Sequence, residues 1–237
     1  MDTKQFSDGF DTMLNSYSVS ANFGKEASSQ TITLDEYEKS VFLTKAQEEV
    51  VLSLYNGKNP YNESFESTEE IRRYLANLVA ESSLKPITNT SGMPIGVASS
   101  STFFTLPEDL WFITLEQVVV DKGKCGNTKI KVYPVKQDEY LSIKDNPFRG
   151  ANGRRALRFD LSEGVVEIAS IYTVVSYYVR YLKKPTPIIL VDLPDELAIN
   201  KVNTATECML HSALHQRILE LAVRLALQSK GYNTNKE

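Results

Sequence analysis

Residues 174–185 read VVSYYVRYLKKP. In an extended chain successive side chains point to opposite faces. Val175, Tyr177, Val179 and Tyr181 then share one face, and Ser176, Tyr178 and Arg180 share the other. Residues 111–121 (WFITLEQVVVD), 129–136 (KIKVYPVK) and 155–170 (RALRFDLSEGVVEIAS) have the same richness in Val, Ile, Tyr and Phe. All are short and bounded by Gly, Pro, Asn or Asp, which predicts antiparallel strands. Leu161-Ser-Glu-Gly-Val165 reads as a hairpin turn between two of them.

Outward from this centre the period changes. Thr33-Leu-Asp-Glu36, Thr44-Lys-Ala-Gln47 and Ser67-Thr-Glu-Glu70 each fit a capping box, in which a hydroxyl and a carboxylate or amide satisfy the free amides of a helix start. The first two predict a pair of helices bent near Leu43 and stopped by Gly57. The third predicts a helix with Ile71, Tyr74, Leu75, Leu78 and Val79 as its apolar stripe, ended by Pro86. Past KKPTPIILVDLP a final helix is predicted over about residues 205–229. Helices, then strands, then a helix is an α+β order, without the alternation of a parallel α/β fold. The expected layout is an extended N-terminal arm (1–30), a helical part (31–90), a β-rich part forming a sheet or barrel-like body (91–190), a C-terminal helix packing back on the helical part (191–229), and a tail (230–237).

The arm is polar, with scattered aromatics at Phe6, Phe10, Tyr17 and Phe23. It and the tail hold too little apolar surface to offset ~1–2 kcal/mol per residue of backbone entropy, so both are expected to lie against other chains.

Composition excludes several classes. The chain has 237 residues, of which 42% are hydrophobic and 24% charged, as in an ordinary globular protein. A net charge of −4 gives no global attraction to nucleic acid or an anionic membrane. Two cysteines, Cys125 and Cys208, are too few for a disulfide framework. The first residues lack a basic-then-apolar leader pattern, and no apolar run is long enough to span a bilayer.

The candidate chemistry is sparse. Cys208, His211 and His215 would fall within a 60° arc or so of one helix, and zinc accepts such ligands. A fourth ligand is missing, and Ser212 stands where the HExxH motif needs its glutamate. Ala222 and Ala226 continue the same face beside the stripe Leu210, Leu214, Ile218, Leu221 and Leu225, so packing is favoured over metal binding. Arg149, Arg154, Arg155 and Arg158 lie in or beside the loop DNPFRGANGRRALR and could meet phosphate or a neighbour's acids. No phosphate-binding glycine loop, nucleophile elbow or assignable acid/base pair is present. No catalytic residue, cofactor or metal is expected.

Taken together, FSDGFDTMLNSY, LDEYEKSVFLTKAQEEVVLSLYNG, FESTEEIRRYLANLV, LPEDLWFITLEQV, VYPVKQDEYLSIKDNPFRG, YYVRYLKKPTPIIL and LHQRILELAVRLAL resemble head-to-tail connector ring proteins of short-tailed, crAss-like bacteriophages. More distantly they resemble tail tubular protein A and head-completion adaptors. The resemblance covers most of the chain. It implies a virion protein made in the host cytoplasm, with no enzymatic step and no membrane. It implies a ring of itself, typically of twelve copies, between the portal protein and further tail or ring proteins, with DNA passing through its channel. On that reading Gly231, Tyr232 and Asn233 would dock on the portal, and Phe6, Phe10 and Tyr17 would contact a neighbour. Arg149, Arg154 and Arg155 would face the lumen or the next subunit. The subunit contact is favoured, because a channel must let DNA slide. The rival reading is a cytoplasmic metal- or ligand-binding domain built on Cys208, His211 and His215.

Overall fold

The computed structural model describes residues 1–21, 33–58, 64–65, 67–88, 101–123, 126–162 and 164–230. Phe23, Cys125 and Gly231 to Asn233 lie outside the described residues. The chain divides into two compact units, one of residues 1–78 with 184–237 and one of residues 79–183.

The first unit is helical. Helix α1 spans Thr3–Ala21, which corrects the expected extended arm. Its start is a reciprocal box: the Gln5 amide donates to Asp2 Oδ1 at 2.7 Å, and the Asp2 amide donates to Gln5 Oε1 at 3.1 Å. Phe6, Phe10 and Leu14, spaced by four, are fully buried within their own unit. Phe6 and Phe10 are therefore core residues and not neighbour contacts. Helix α2 (Glu36–Tyr55) is one helix without a break, capped by a box between Asp35 and Glu38. Its Ser40, Thr44 and Gln47 are buried polar residues. They hold the extended segment 186–190. The Leu190 amide donates to Ser40 Oγ (3.0 Å), the Ile188 amide to Thr44 Oγ1 (3.1 Å), and Gln47 Nε2 to the Thr186 carbonyl (2.7 Å). The Thr44 box expected from the sequence is thus a side-chain ladder in the middle of α2.

Helix α3 (Glu69–Tyr74) is capped by Thr68 and ends early. A 3₁₀ turn, Ala76–Leu78, follows it. Helix α5, named in chain order after the short α4 below, runs His215–Ser229 and packs on α1 and α2. Its buried face is His215, Ile218, Leu219, Ala222, Val223, Ala226 and Leu227, so the apolar stripe is rotated from the expected one, and Leu221 and Leu225 are only half-buried. At Gly9 a Cβ would sit 2.9 Å from Leu219 Cδ2, so the glycine lets α1 approach α5 closely.

The second unit is a seven-stranded sheet ordered β1-β7-β3-β4-β5-β6-β2. Its strands are β1 Val79–Leu84, β2 Ser101–Thr105, β3 Leu110–Asp121, β4 Asn127–Pro134, β5 Arg155–Ser162, β6 Val165–Ala169 and β7 Thr173–Lys183. The fold is α+β, as expected. β1 takes residues that the helical period had claimed, because pairing with β7 from Val79↔Leu182 to Leu84↔Tyr177 overrides a weak local preference. One pair, β4 with β5, is parallel. A parallel pair needs a crossover, and residues 135–154 supply it with a 3₁₀ turn and helix α4 (Tyr140–Ile143).

The sheet curls. β7 and β2 are five places apart in the order, about 24 Å in a flat sheet at ~4.8 Å per strand. Yet the rings of Phe104 on β2 and Tyr177 on β7 lie 5.3 Å apart. Val118, Val120, Ile130, Val132, Ala156, Val166 and Ile168 fill the same interior. The alternation expected for β7 holds for Tyr177, Val179 and Tyr181, which are buried. It fails at Val175, which is 43% exposed while Val174 is buried. Opposite it the register jumps from Val119↔Ser176 to Val120↔Val174, a bulge that turns the extra residue outward.

Candidate functional site

The final helix begins at His215, so Cys208 and His211 precede it and share no helix face with it. Each of the three groups is occupied separately. Cys208 Sγ donates to Gln47 Oε1 at 3.2 Å, and burial pushes its thiol up, away from reactivity. His211 Nδ1 accepts from the Ala213 amide at 3.3 Å, and its ring lies 5.5 Å from that of Tyr74. His215 is buried between the Leu210 carbonyl (3.0 Å from Nε2) and the Met1 amine (2.7 Å from Nδ1). Burial holds His215 below its ordinary pKa, so it is neutral, with Nε2–H donating and Nδ1 accepting. Among the described residues no group of three His, Cys, Asp or Glu is placed to hold a metal ion.

A second cluster of charge sits inside the curled sheet. Arg158 Nη1 lies 2.8 Å from Glu116 Oε1, and Tyr177 Oη donates to Glu116 Oε2 at 2.6 Å. Arg158 Nε also reaches Asp160 Oδ1 at 3.2 Å. Burial, with the Glu116 charge beside it, pushes the Tyr177 hydroxyl far up. Arg158 is thus an interior residue and is separated from the arginines of the crossover. The cluster crosses β3, β5 and β7 and ties the sheet together.

Among the described residues of the unit, the crossover carries the most exposed apolar side chains. Phe148 is 84% exposed and Leu141 73%. The backbone beneath them is fixed. Asn146 Oδ1 accepts from the Phe148 and Arg149 amides, at 2.9 and 3.2 Å. Asn152 Nδ2 donates to the Pro147 carbonyl at 3.1 Å, and the Arg155 guanidinium donates to the Phe148 carbonyl at 2.6 Å. Gly150 is packed so closely that a Cβ would stand 2.7 Å from the Lys144 carbonyl oxygen. The three arginines separate in role. Arg155 stacks over the Tyr133 ring at 4.1 Å and braces the loop, while Arg149 and Arg154 are exposed. The arginines were visible in the sequence; Phe148, set between Pro147 and Arg149, was the signal passed over. Tyr17, at the far part of α1, is half-exposed.

These features are those of a protein that binds through surfaces, and comparison with known proteins agrees. The family model described as phage tail ring protein 3/4 matches residues 1–237. The chain belongs to that family. It is 47% identical over 242 residues to Ring protein 3 of Bacteroides phage crAss001, and the match covers the whole of both chains. It is 31% identical over 235 residues to Ring protein 4/5 of the same phage, which covers 95% of this chain and 92% of the relative. The resemblance to crAss-like ring proteins read from the sequence is therefore borne out, and membership makes the chain a structural ring component of a phage virion. Among the described residues no helix is long and apolar enough to cross a membrane.

Proposed function

We propose that this ring protein assembles in the host cytoplasm into one ring of the portal vertex, joins the portal to the tail and lines the channel through which DNA passes. The observation that carries this reading is its full-length similarity to two different ring proteins of one phage, at 47% and 31% identity. One fold that serves in more than one ring suits a stack of coaxial rings, each face matched to the next. A ring of about twelve copies is what the connector resemblance implies, and head-to-tail contacts that close are what build such a ring. The protein's role is mechanical and requires no catalytic step.

Within that ring, Gly231, Tyr232 and Asn233 are assigned to the portal side and Tyr17 to a neighbouring chain. Docking of such tails is weak per subunit and multiplied around the ring. The test is imaging of the purified protein, alone and mixed with portal protein. Rings that stack on portal particles are expected. Deleting residues 231–237 should leave the melting temperature unchanged and abolish stacking. The cut falls after Lys230, whose amide still closes α5 on the Ala226 carbonyl and whose ammonium lies 3.5 Å from Glu38. A truncated protein that stacks normally removes the tail from this account; a full chain that forms no ring in either setting removes the account itself.

A further inference from the structure

Four of the seven large hydrophobic side chains exposed among the described residues fall in two segments. Leu141 and Phe148 are on the crossover, and Val191 (44% exposed) and Leu197 (39%) are on the segment 191–198. The charges beside them are opposite. The crossover exposes Arg149 and Arg154 around Phe148, together with Lys136, Lys144, Asp138, Glu139 and Asp145, a small positive excess; the segment adds only acids, Asp192, Asp195 and Glu196, all exposed. Among the described residues Arg149, Arg154, Asp192, Asp195 and Glu196 have no ion-pair partner.

Both segments are held in shape. The crossover is fixed by the Asn146, Asn152 and Arg155 bonds already given. In 191–198 the Leu193 amide donates to the Asn203 carbonyl at 2.7 Å. Asp192 Oδ1 accepts from the Ala205 amide at 2.7 Å, and Asp195 Oδ1 from the Asn203 amide group at 2.5 Å. Asn200 and Lys201, both at positive φ, turn the chain back beneath it. With the backbone held in this way, Leu141, Phe148, Val191, Leu197 and the acids of 191–198 remain exposed. Docking such surfaces costs little further ordering, which is what makes an exposed aromatic an effective anchor.

We propose that the crossover of one subunit docks on segment 191–198 of the next copy in the ring. The inference rests on the ring reading above and names the contact that builds the ring. The two patches are different surfaces of one chain, apolar at both centres, and the arginines flanking Phe148 are opposite in charge to the acids of 191–198. A contact between unlike patches is head-to-tail, the kind that propagates around a closed ring. Crossover against crossover would set arginines facing arginines, and segment against segment would set acids facing acids, so like pairings are disfavoured. A DNA surface would use the two arginines and leave Phe148 and Leu141 without purpose.

The experiment uses the full chain and two charge-altered variants, Arg149→Glu/Arg154→Glu and Asp195→Asn/Glu196→Lys. The asparagine keeps the acceptor for the Asn203 side chain. Mass photometry follows oligomer size against protein concentration. Each variant alone should need at least about tenfold more protein than the unchanged chain to assemble. Mixed in equal amounts, they should assemble again, because each supplies the charge the other now requires. Rescue by mixing cannot come from a variant that has merely misfolded. Phe148→Ser should also fail to assemble, and mixing should not rescue it. If either charge variant assembles alone as readily as the unchanged chain, or if the mixture stays apart, the contact is wrong while the ring reading stands. If the unchanged chain forms no ring alone or on portal, both fall together.

Discussion

In the helical unit Lys39 is buried, but its partners Asp11 and Glu36 (2.7 and 2.9 Å away) keep 48% and 35% of their side chains in water. In the sheet unit Arg158 and Glu116 are both enclosed, with side chains 11% and 9% exposed. The same attraction therefore has different consequences when broken. Around Lys39, water can replace the lost partner. Inside the curled sheet Glu116 has little access to water, and without Arg158 its charge is left in a medium of low dielectric. A helix pair can hold a charge at its rim; the curled sheet encloses both members of its pair.

The largest expected effect breaks the enclosed cluster. Arg158→Ala should lower stability by about 3–5 kcal/mol, because Glu116 is left buried and uncompensated. Urea unfolding read by Trp111 fluorescence follows the sheet unit, since Trp111 is the only tryptophan and lies in β3. Arg158→Met combined with Glu116→Leu should recover most of the loss. A loss under about 1 kcal/mol in the single variant would mean that water reaches the interior after all.

Gly150→Ala should cost about 2 kcal/mol. Its new methyl would meet three backbone carbonyl oxygens, those of Lys144, Asn146 and Ile143, and backbone cannot turn aside as a side chain can. The same Trp111 titration measures it, and a neutral result would show that the crossover backbone is soft.

Lys39→Met sharpens the contrast from the other side. It keeps the apolar stem and removes a charge whose partners are already partly solvated, so about 1 kcal/mol is expected. Helical circular dichroism during urea unfolding reads this change. A cost matching that of Arg158→Ala would erase the distinction between the units.

The smallest effects appear with pH, and the two units should respond at opposite ends. His215 is held below its ordinary value by burial. Its contribution is present above about pH 6.5 and is lost as pH falls through the folded value. Tyr177 is held above 10.0 by burial and by Glu116. Its contribution is present below about pH 10 and is lost as pH rises through the folded value. Acid should therefore weaken the helical signal first, and alkali the Trp111 signal. Tyr177→Phe should flatten the alkaline arm only; an unchanged arm would assign it to another group.

The parts legible in the sequence were those set by neighbours along the chain. The strands around Val118, Ile130 and Val166, the approximate starts of α2 and α3, and the order of elements needed only short-range pattern, although the caps are Asp35 and Thr68 and not the expected Thr33 and Ser67. The misreadings have long-range causes. Ser40, Thr44 and Gln47 look like a solvated face with a helix start, yet they are buried because residues 186–190 lie on them. Cys208 was expected to share the final helix with His215, yet it precedes that helix and is held by Gln47, 161 positions away. β1 looked helical because its partner, β7, lies almost a hundred residues downstream. Phe6, Phe10 and Leu14 were legible through their spacing of four, once Asp2 and Gln5 are read as a cap. The arginines were legible as a loop. Which two remain available, and that Phe148 stands between them, depended on the Arg155 stack over Tyr133.

The sheet unit interrupts the helical one in the chain, leaving after Leu78 and returning at Lys184. On the ribosome, α1 and α2 emerge long before α5. At ~5–20 residues per second, roughly 8–32 s pass while residues 56–214 are made. During that wait the polar ladder of α2 has no strand to bind, and the apolar faces of α1 and α2 have no α5. The strands of the sheet unit all lie within residues 79–183, and its first and last strands are paired from Val79↔Leu182 onward. It can close first and bring its two ends together. The helical unit is then completed last, so a nascent subunit cannot present segment 191–198 to a neighbour until it has been almost wholly synthesised.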